Sequence, residues 1–168
     1  GLPAVVLLSA VLIRLFLVTT YRVRSDAMLP TYRSGKLLWI NRIASPDRGD
    51  ILVIKYRQDG EADSRFYLAR LIGLPGDTLF LSKGGVVANR QKLKLPTSLL
   101  PREPYKIIVP RNDRTYRLTP LSLLAYRRAI EEECSSNISF RRGKLYRDGA
   151  ETAFFHFRRN YYWILADN

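Results

Sequence analysis

Histidine, cysteine and methionine occur once each in this 168-residue chain, as His156, Cys134 and Met28. A single thiol excludes an intrachain disulfide and any Cys-rich zinc site, and with them a small secreted domain held together by disulfides. Cys134 closes a predicted helix with no matched histidine and reads as inert. His156 lies in an aromatic strand pattern with Phe154, Phe155 and Phe157, so it reads as a core or surface histidine. Little else in the sequence recommends a Ser-His-Asp triad built on it. Internal repeats, low-complexity blocks and runs of five or six like charges are also missing, which argues against a disordered basic tail. Ten Tyr and seven Phe exclude disorder by composition.

What is present is positive charge. Lys plus Arg number 28 against 15 Asp plus Glu, a formal net charge of +13. That balance suggests a polyanionic neighbour, either nucleic acid or the phosphate surface of anionic lipids. The length fits one domain with a real core and an attached anchor.

Residues Ala4 to Thr20 form an apolar run with one charge, Arg14. The run is at the short edge of the about 20 residues that span a bilayer. A cleaved signal peptide would need basic residues before it and an A-x-A-like site after it, and neither is present. A buried soluble helix is the plainer rival. The expectation is a membrane anchor over 1–20 that can extend upstream of Gly1, with Arg14 paired, lining a polar interface or snorkelling to the headgroups. Charges do not set its orientation, because long domains cross largely regardless of charge.

Beyond it, short apolar runs alternate with turn signals, a β pattern. Strands are expected over Lys36–Ile40, Asp50–Tyr56, Phe66–Ile72, Thr78–Ser82, Val86–Ala88, Tyr105–Val109 and Thr115–Leu118. Three or four more are expected between Ile138 and Ile164, with turns at Arg142-Gly143 and Asp148-Gly149. Gly84-Gly85 marks a hairpin, and residues 89–104 read as a surface excursion. Thr119 as N-cap and Pro120 as first residue predict one helix, running to about Glu133. Glu131, Glu132 and Glu133 sit at the wrong end for its dipole and should seek Arg127 and Arg128 one turn back.

Two segments could carry chemistry: Ser25-Asp26-Ala27-Met28-Leu29-Pro30, and Ala69-Arg70-Leu71-Ile72-Gly73-Leu74-Pro75-Gly76-Asp77. Together they resemble the bacterial signal peptidase I family, which carries S-x-S-M-x-P and later K-R-x-x-G-x-P-G-D. Arg48-Gly49-Asp50-Ile51-Leu52 matches a third box of that family, and Tyr161 to Asn168 resembles the start of its aromatic-x-x-G-D-N box. Residues Leu118 to Ile130 look like Bacteroidetes-type members. Four boxes in the right order after an apolar run make a strong signal where each alone is weak.

The resemblance implies a mainly β domain over 21–168, an antiparallel sheet or barrel with one inserted helix. It lies on the periplasmic side of a bacterial inner membrane and cuts signal peptides from preproteins after small residues, without metal or cofactor. The family's chemistry needs a serine whose proton passes to a lysine kept neutral by burial. Here Ala27 holds the nucleophile position and Ala69 the general-base position, so the chain is expected to be inactive. Ser25 holds the position whose hydroxyl assists the oxyanion. Met28 and Pro30 flank the cleft, and Arg70, Gly76, Asp77, Asp167 and Asn168 match residues that shape it. Ala166 replaces the family's usual Gly, and the family continues past Asn168, so a C-terminal truncation is expected. The two alanines fit deliberate inactivation or natural loss, and Ala166 favours loss. Implied partners are signal peptides and anionic lipids, with no nucleic acid. The rival function is a basic binding protein on anionic membrane or nucleic acid that shares the fold.

Overall fold

In the computed structural model the apolar run opens as helix α1 (Leu2–Phe16) and stops sooner than expected. Residues Val18–Thr20, expected to continue it, instead begin strand β1 (Val18–Arg22). Three consecutive β-branched residues suit a strand better than a helix. Strand β1 pairs with β2 (Leu37–Asn41) from Val18↔Asn41 to Arg22↔Leu37. Fifteen helical residues span about 22 Å, against a hydrocarbon core of about 30 Å. No described helix is long and apolar enough to cross a membrane.

The structure describes residues 2–56, 64–95, 101, 103–134 and 137–168, with the side chains of 3–11 alone given between residues 2 and 16. The chain divides into two compact units, one of residues 1–71, 94–100 and 164–168, the other of 72–93 and 101–163.

In the first unit, β3 (Ile51–Tyr56) pairs antiparallel with β4 (Arg65–Gly73), from Ile51↔Arg70 to Tyr56↔Arg65. Strand β14 (Trp163–Leu165) flanks β4 on its other side. The core here is small: Val23, Met28 and Leu68 are buried, with Tyr21, Tyr32, Leu38, Ile51 and Val53 packed around them. Strand β4 runs on into the second unit, where Gly73 leaves no room for a side chain. A β-carbon there would meet Leu79 and Val109 at 2.8 Å and Trp163 at 3.0 Å.

The second unit begins with the four-stranded sheet β7–β6–β5–β8, from β5 (Thr78–Ser82), β6 (Gly85–Ala88), β7 (Gln91–Leu93) and β8 (Tyr105–Ile108). Strand β7 lies inside the excursion expected over 89–104, of which 96–100 and 102 are outside the described residues. Ser82 pairs with Gly85, so the first hairpin turn is Lys83-Gly84, one residue earlier than expected. Strand β9 (Arg114–Arg117) pairs with β13 (Phe154–Phe157), and β10 (Ile138–Arg141), β11 (Lys144–Arg147) and β12 (Ala150–Thr152) form a meander.

Helix α2 (Pro120–Glu133) starts where Thr119 and Pro120 predict, with a capping box between Thr119 and Ser122. Arg127 and Arg128 bond Glu131 and Glu132 at 3.0 and 3.3 Å, as their spacing requires. Glu133 instead accepts the backbone N–H groups of Arg158 and Arg159 and the hydroxyl of Tyr161. The core is aromatic: Phe157 meets the rings of Tyr116, Tyr126, Phe155 and Tyr161 edge-on, at centroid distances of 5.7, 5.5, 4.8 and 5.5 Å. The architecture is mainly antiparallel β with one inserted helix. Among the described residues no sheet closes into a barrel.

Candidate functional site

Ser25 to Thr31 form an exposed turn between β1 and β2. Asp26 holds it: its carbonyl accepts the Leu29 N–H at 3.1 Å and its carboxylate the Ser34 N–H at 2.8 Å. That carboxylate is engaged in the turn. Ser25, Ala27 and Pro30 are exposed, while Met28 turns inward and is 1% exposed. The Leu29–Pro30 peptide is cis. The Ala27 carbonyl accepts two N–H groups, from Asp167 at 3.1 Å and Asn168 at 3.0 Å. The end of the chain therefore fixes the backbone at position 27.

Ala69 sits in β4 opposite Leu52 and is 3% exposed. Its neighbours Leu68 and Arg70 alternate to the other face of the strand. Leu68 joins Met28 and Val23 in the small core. Arg70 is the hub of a polar clamp. Its Nε and Nη2 donate to the two Asp167 carboxylate oxygens at 2.7 and 2.6 Å, a bidentate pair. Its Nη1 donates to the Gly49 carbonyl at 2.7 Å, and Nη2 also reaches the Thr31 hydroxyl at 3.2 Å. Thr31 in turn donates to Asp167 at 2.5 Å.

The pair is largely shielded, with side-chain exposures of 15% for Arg70 and 1% for Asp167. Burial works to raise the Asp167 pKa, but hydrogen bonds from Arg70 and Thr31 and the Arg70 charge outweigh it and hold the carboxyl below its ordinary value. The same bond to Asp167 raises Arg70, against the opposing effect of burial.

The clamp ties together segments around Ala27, Gly49, Ala69 and Asp167, the four boxes singled out in the sequence. Thr31 and Gly49 were not among the expected site residues. The signal for Thr31 was its place directly after Pro30 in the first box.

Gly76 and Asp77 belong to the second unit, where they build a turn. Gly76 has φ +90°, the left-handed region glycine favours, directly after Pro75. Asp77 is buried, accepting Leu74 N–H at 2.8 Å and the Asn89 amide at 2.7 Å. Ala166 is half-buried and is not among the residues with positive φ, so its methyl meets no backbone strain. In the second unit, His156 Nδ1 lies 3.1 Å from the Thr115 hydroxyl and Cys134 accepts from Arg147 at 3.1 Å. Among the described residues no group of three or more His, Cys, Asp and Glu gathers as a metal site.

Signal peptidase I T of Bacillus subtilis is 35% identical to this chain over 96 residues, 55% of this chain and 48% of that protein. Signal peptidase I of Bacillus licheniformis is 38% identical over 91 residues, 52% of this chain and 47% of that protein. Signal peptidase I of Pseudomonas aeruginosa is 30% identical over 94 residues, 46% and 32% respectively. The chain spans about half the length of the curated Bacillus relatives it matches. No solved structure matches it. Residues 2–167 match the family model described as signal peptidase, peptidase S26. With its sequence boxes tied into one clamp and that match running almost end to end, the chain belongs to the signal peptidase family, peptidase S26.

Proposed function

We propose that this chain binds the cleavage-site region of exported preproteins and does not cut it. The carrying observation is that the clamp around the two alanine positions is complete, while those positions offer only methyl groups. A methyl at 27 has no lone pair to attack a carbonyl, and a methyl at 69 takes no proton. Loss of a nucleophile and its base together leaves only the modest acceleration that binding and backbone donors supply. On this reading Ser25 lends at most a hydroxyl to an oxyanion, and Pro30, Arg70, Asp167 and Asn168 hold the cleft's shape.

Binding is supported by the sheet edge. Strand β4 has nine residues and β14 only three, so among the described residues most of that edge carries no strand partner. An extended peptide can add there through backbone bonds, with side chains read by shallow pockets. Val23, Met28 and Leu68 form a buried apolar floor beneath the position-27 turn, on the face of β4 opposite Ala69.

Helix α1 exposes Val5, Val6, Leu7 and Leu8, four residues in a row, at 61–71%. Consecutive apolar exposure suits lipid contact all round better than one packed face. The proposed site of action is the outer face of the bacterial inner membrane, with α1 entering anionic lipid. Family membership leaves the nucleic-acid reading without an observation of its own.

The test is titration of a fluorescent signal peptide with the chain in detergent. Saturable binding, competed by unlabelled peptide and weakened by Met28→Glu in a variant that keeps its near-UV spectrum, is the expected result. Absence of saturable binding, or a cleaved product, would overturn the proposal.

A further inference from the structure

The four-stranded sheet of the second unit has one face in the core and one in solvent. Leu79, Leu81, Val86, Ala88 and Ile107 point inward and are at most 3% exposed. The outward residues set apolar Phe80, Val87 and Ile108 among Thr78, Ser82, Lys92 and Lys106. In register across the strands β7, β6, β5 and β8 lies one row: Lys92, Val87, Phe80, Lys106. Phe80 is 43% exposed, and Ile108, outward on the next row, is 38% exposed. Thus an apolar strip is bracketed by a lysine on each side. No Asp or Glu occurs in residues 78–93 or 105–108. The face is concave, with a hollow of about 540 Å³ lined by Phe80, Val87, Lys106 and Arg90, among others.

Arg90 adds an independent sign. The hairpin turns at Arg142-Gly143 and Asp148-Gly149 put glycine at the second position, with φ +73° and +83°. In the Asn89-Arg90 turn the same place, at φ +72°, is taken by Arg90. A side chain in that region costs free energy that glycine avoids. Here the strained residue places a third cation at the rim of the hollow.

We propose that this face is a docking surface for an extended protein segment of the pattern acidic-x-apolar-x-acidic. Three strand spacings of about 4.8 Å separate the two lysine positions by about 14 Å. Residues i and i+4 of an extended peptide lie about 13 Å apart and share a face with residue i+2. Two carboxylates thus meet Lys92 and Lys106 while the central side chain lies on Phe80 and Val87. A flat bilayer does not enter a hollow of this kind. Single-stranded nucleic acid stacks successive bases on successive aromatics, and this row holds one.

The experiment uses the full chain and a fluorescein-labelled peptide containing Glu-Ser-Phe-Ser-Glu, read by anisotropy. Saturable binding is expected, about tenfold weaker for Lys92→Glu with Lys106→Glu, for Phe80→Ser, and for a peptide containing Glu-Ser-Ser-Ser-Glu. Weakening by raised salt is expected as well. All three side chains point outward, and an unchanged tyrosine near-UV spectrum verifies the fold. No saturable binding, binding indifferent to the substitutions, or equal binding of a peptide containing Lys-Ser-Phe-Ser-Lys would overturn the proposal. So would variant-sensitive binding to phosphatidylglycerol vesicles with none to the peptide.

Discussion

The two units hold themselves together by different means. The second packs five aromatic rings into one cluster centred on Phe157, with oil-like contacts that carry no net charge. The first has a small core around Val23, Met28 and Leu68 and relies on the Arg70–Asp167 clamp, whose partners are 97 residues apart. The contrast teaches where each unit is vulnerable. A ring cluster fails when volume is removed, and an ion pair fails when one charge is removed or neutralised. The unit that carries the proposed site has therefore tied its geometry to electrostatics.

The largest expected effect is in the aromatic unit. Phe157→Ala removes the ring that four others touch, and a loss of about 3–5 kcal/mol is expected in urea unfolding. A loss under about 1 kcal/mol would break the comparison. Next is Asp167→Ala, which leaves the shielded Arg70 charge without its carboxylate and should cost about 3 kcal/mol. Hydrogen exchange should rise around residues 27–31 and 69–70 while the second unit keeps its protection.

Titration separates the units by sign. Asp167 has a folded pKa below its ordinary 3.8, so its stabilisation is complete above that value and is lost as pH falls through the folded one. Burial pushes Tyr126 up to about 12 from an ordinary 10.0, so its contribution holds below 10 and is lost as pH rises toward 12. The first unit should loosen in acid and the second in alkali, read by exchange protection and tyrosinate absorbance. Loss of both units together at one end of the scale would contradict this. The smallest effect expected is for Thr31→Val. It removes one hydroxyl from the clamp and should cost about 1 kcal/mol, seen as a small shift in the urea midpoint.

Much of this was legible in the sequence where the determinants are local. Thr119 and Pro120 fixed the start of α2, and the pairs Arg142-Gly143 and Asp148-Gly149 fixed two hairpins, because caps and turns act over a few residues. Strand β1 was not legible, since Val18 continues the apolar run and only its pairing with β2 shows the strand. Strand β7, a polar three-residue edge, carries too little pattern to stand out from a loop. The site boxes were readable as motifs, but the clamp was not. Thr31 reaches Asp167 across 136 residues, and no local spacing encodes that bond.

The most direct test of the account is incubation of this chain, in detergent, with a preprotein carrying a cleavable signal peptide. The product is read by size and by its new N-terminus. With alanine at positions 27 and 69, the account predicts that the preprotein remains intact at every concentration of the chain. Appearance of the mature protein would contradict it, and the search for the nucleophile would then begin at Ser25.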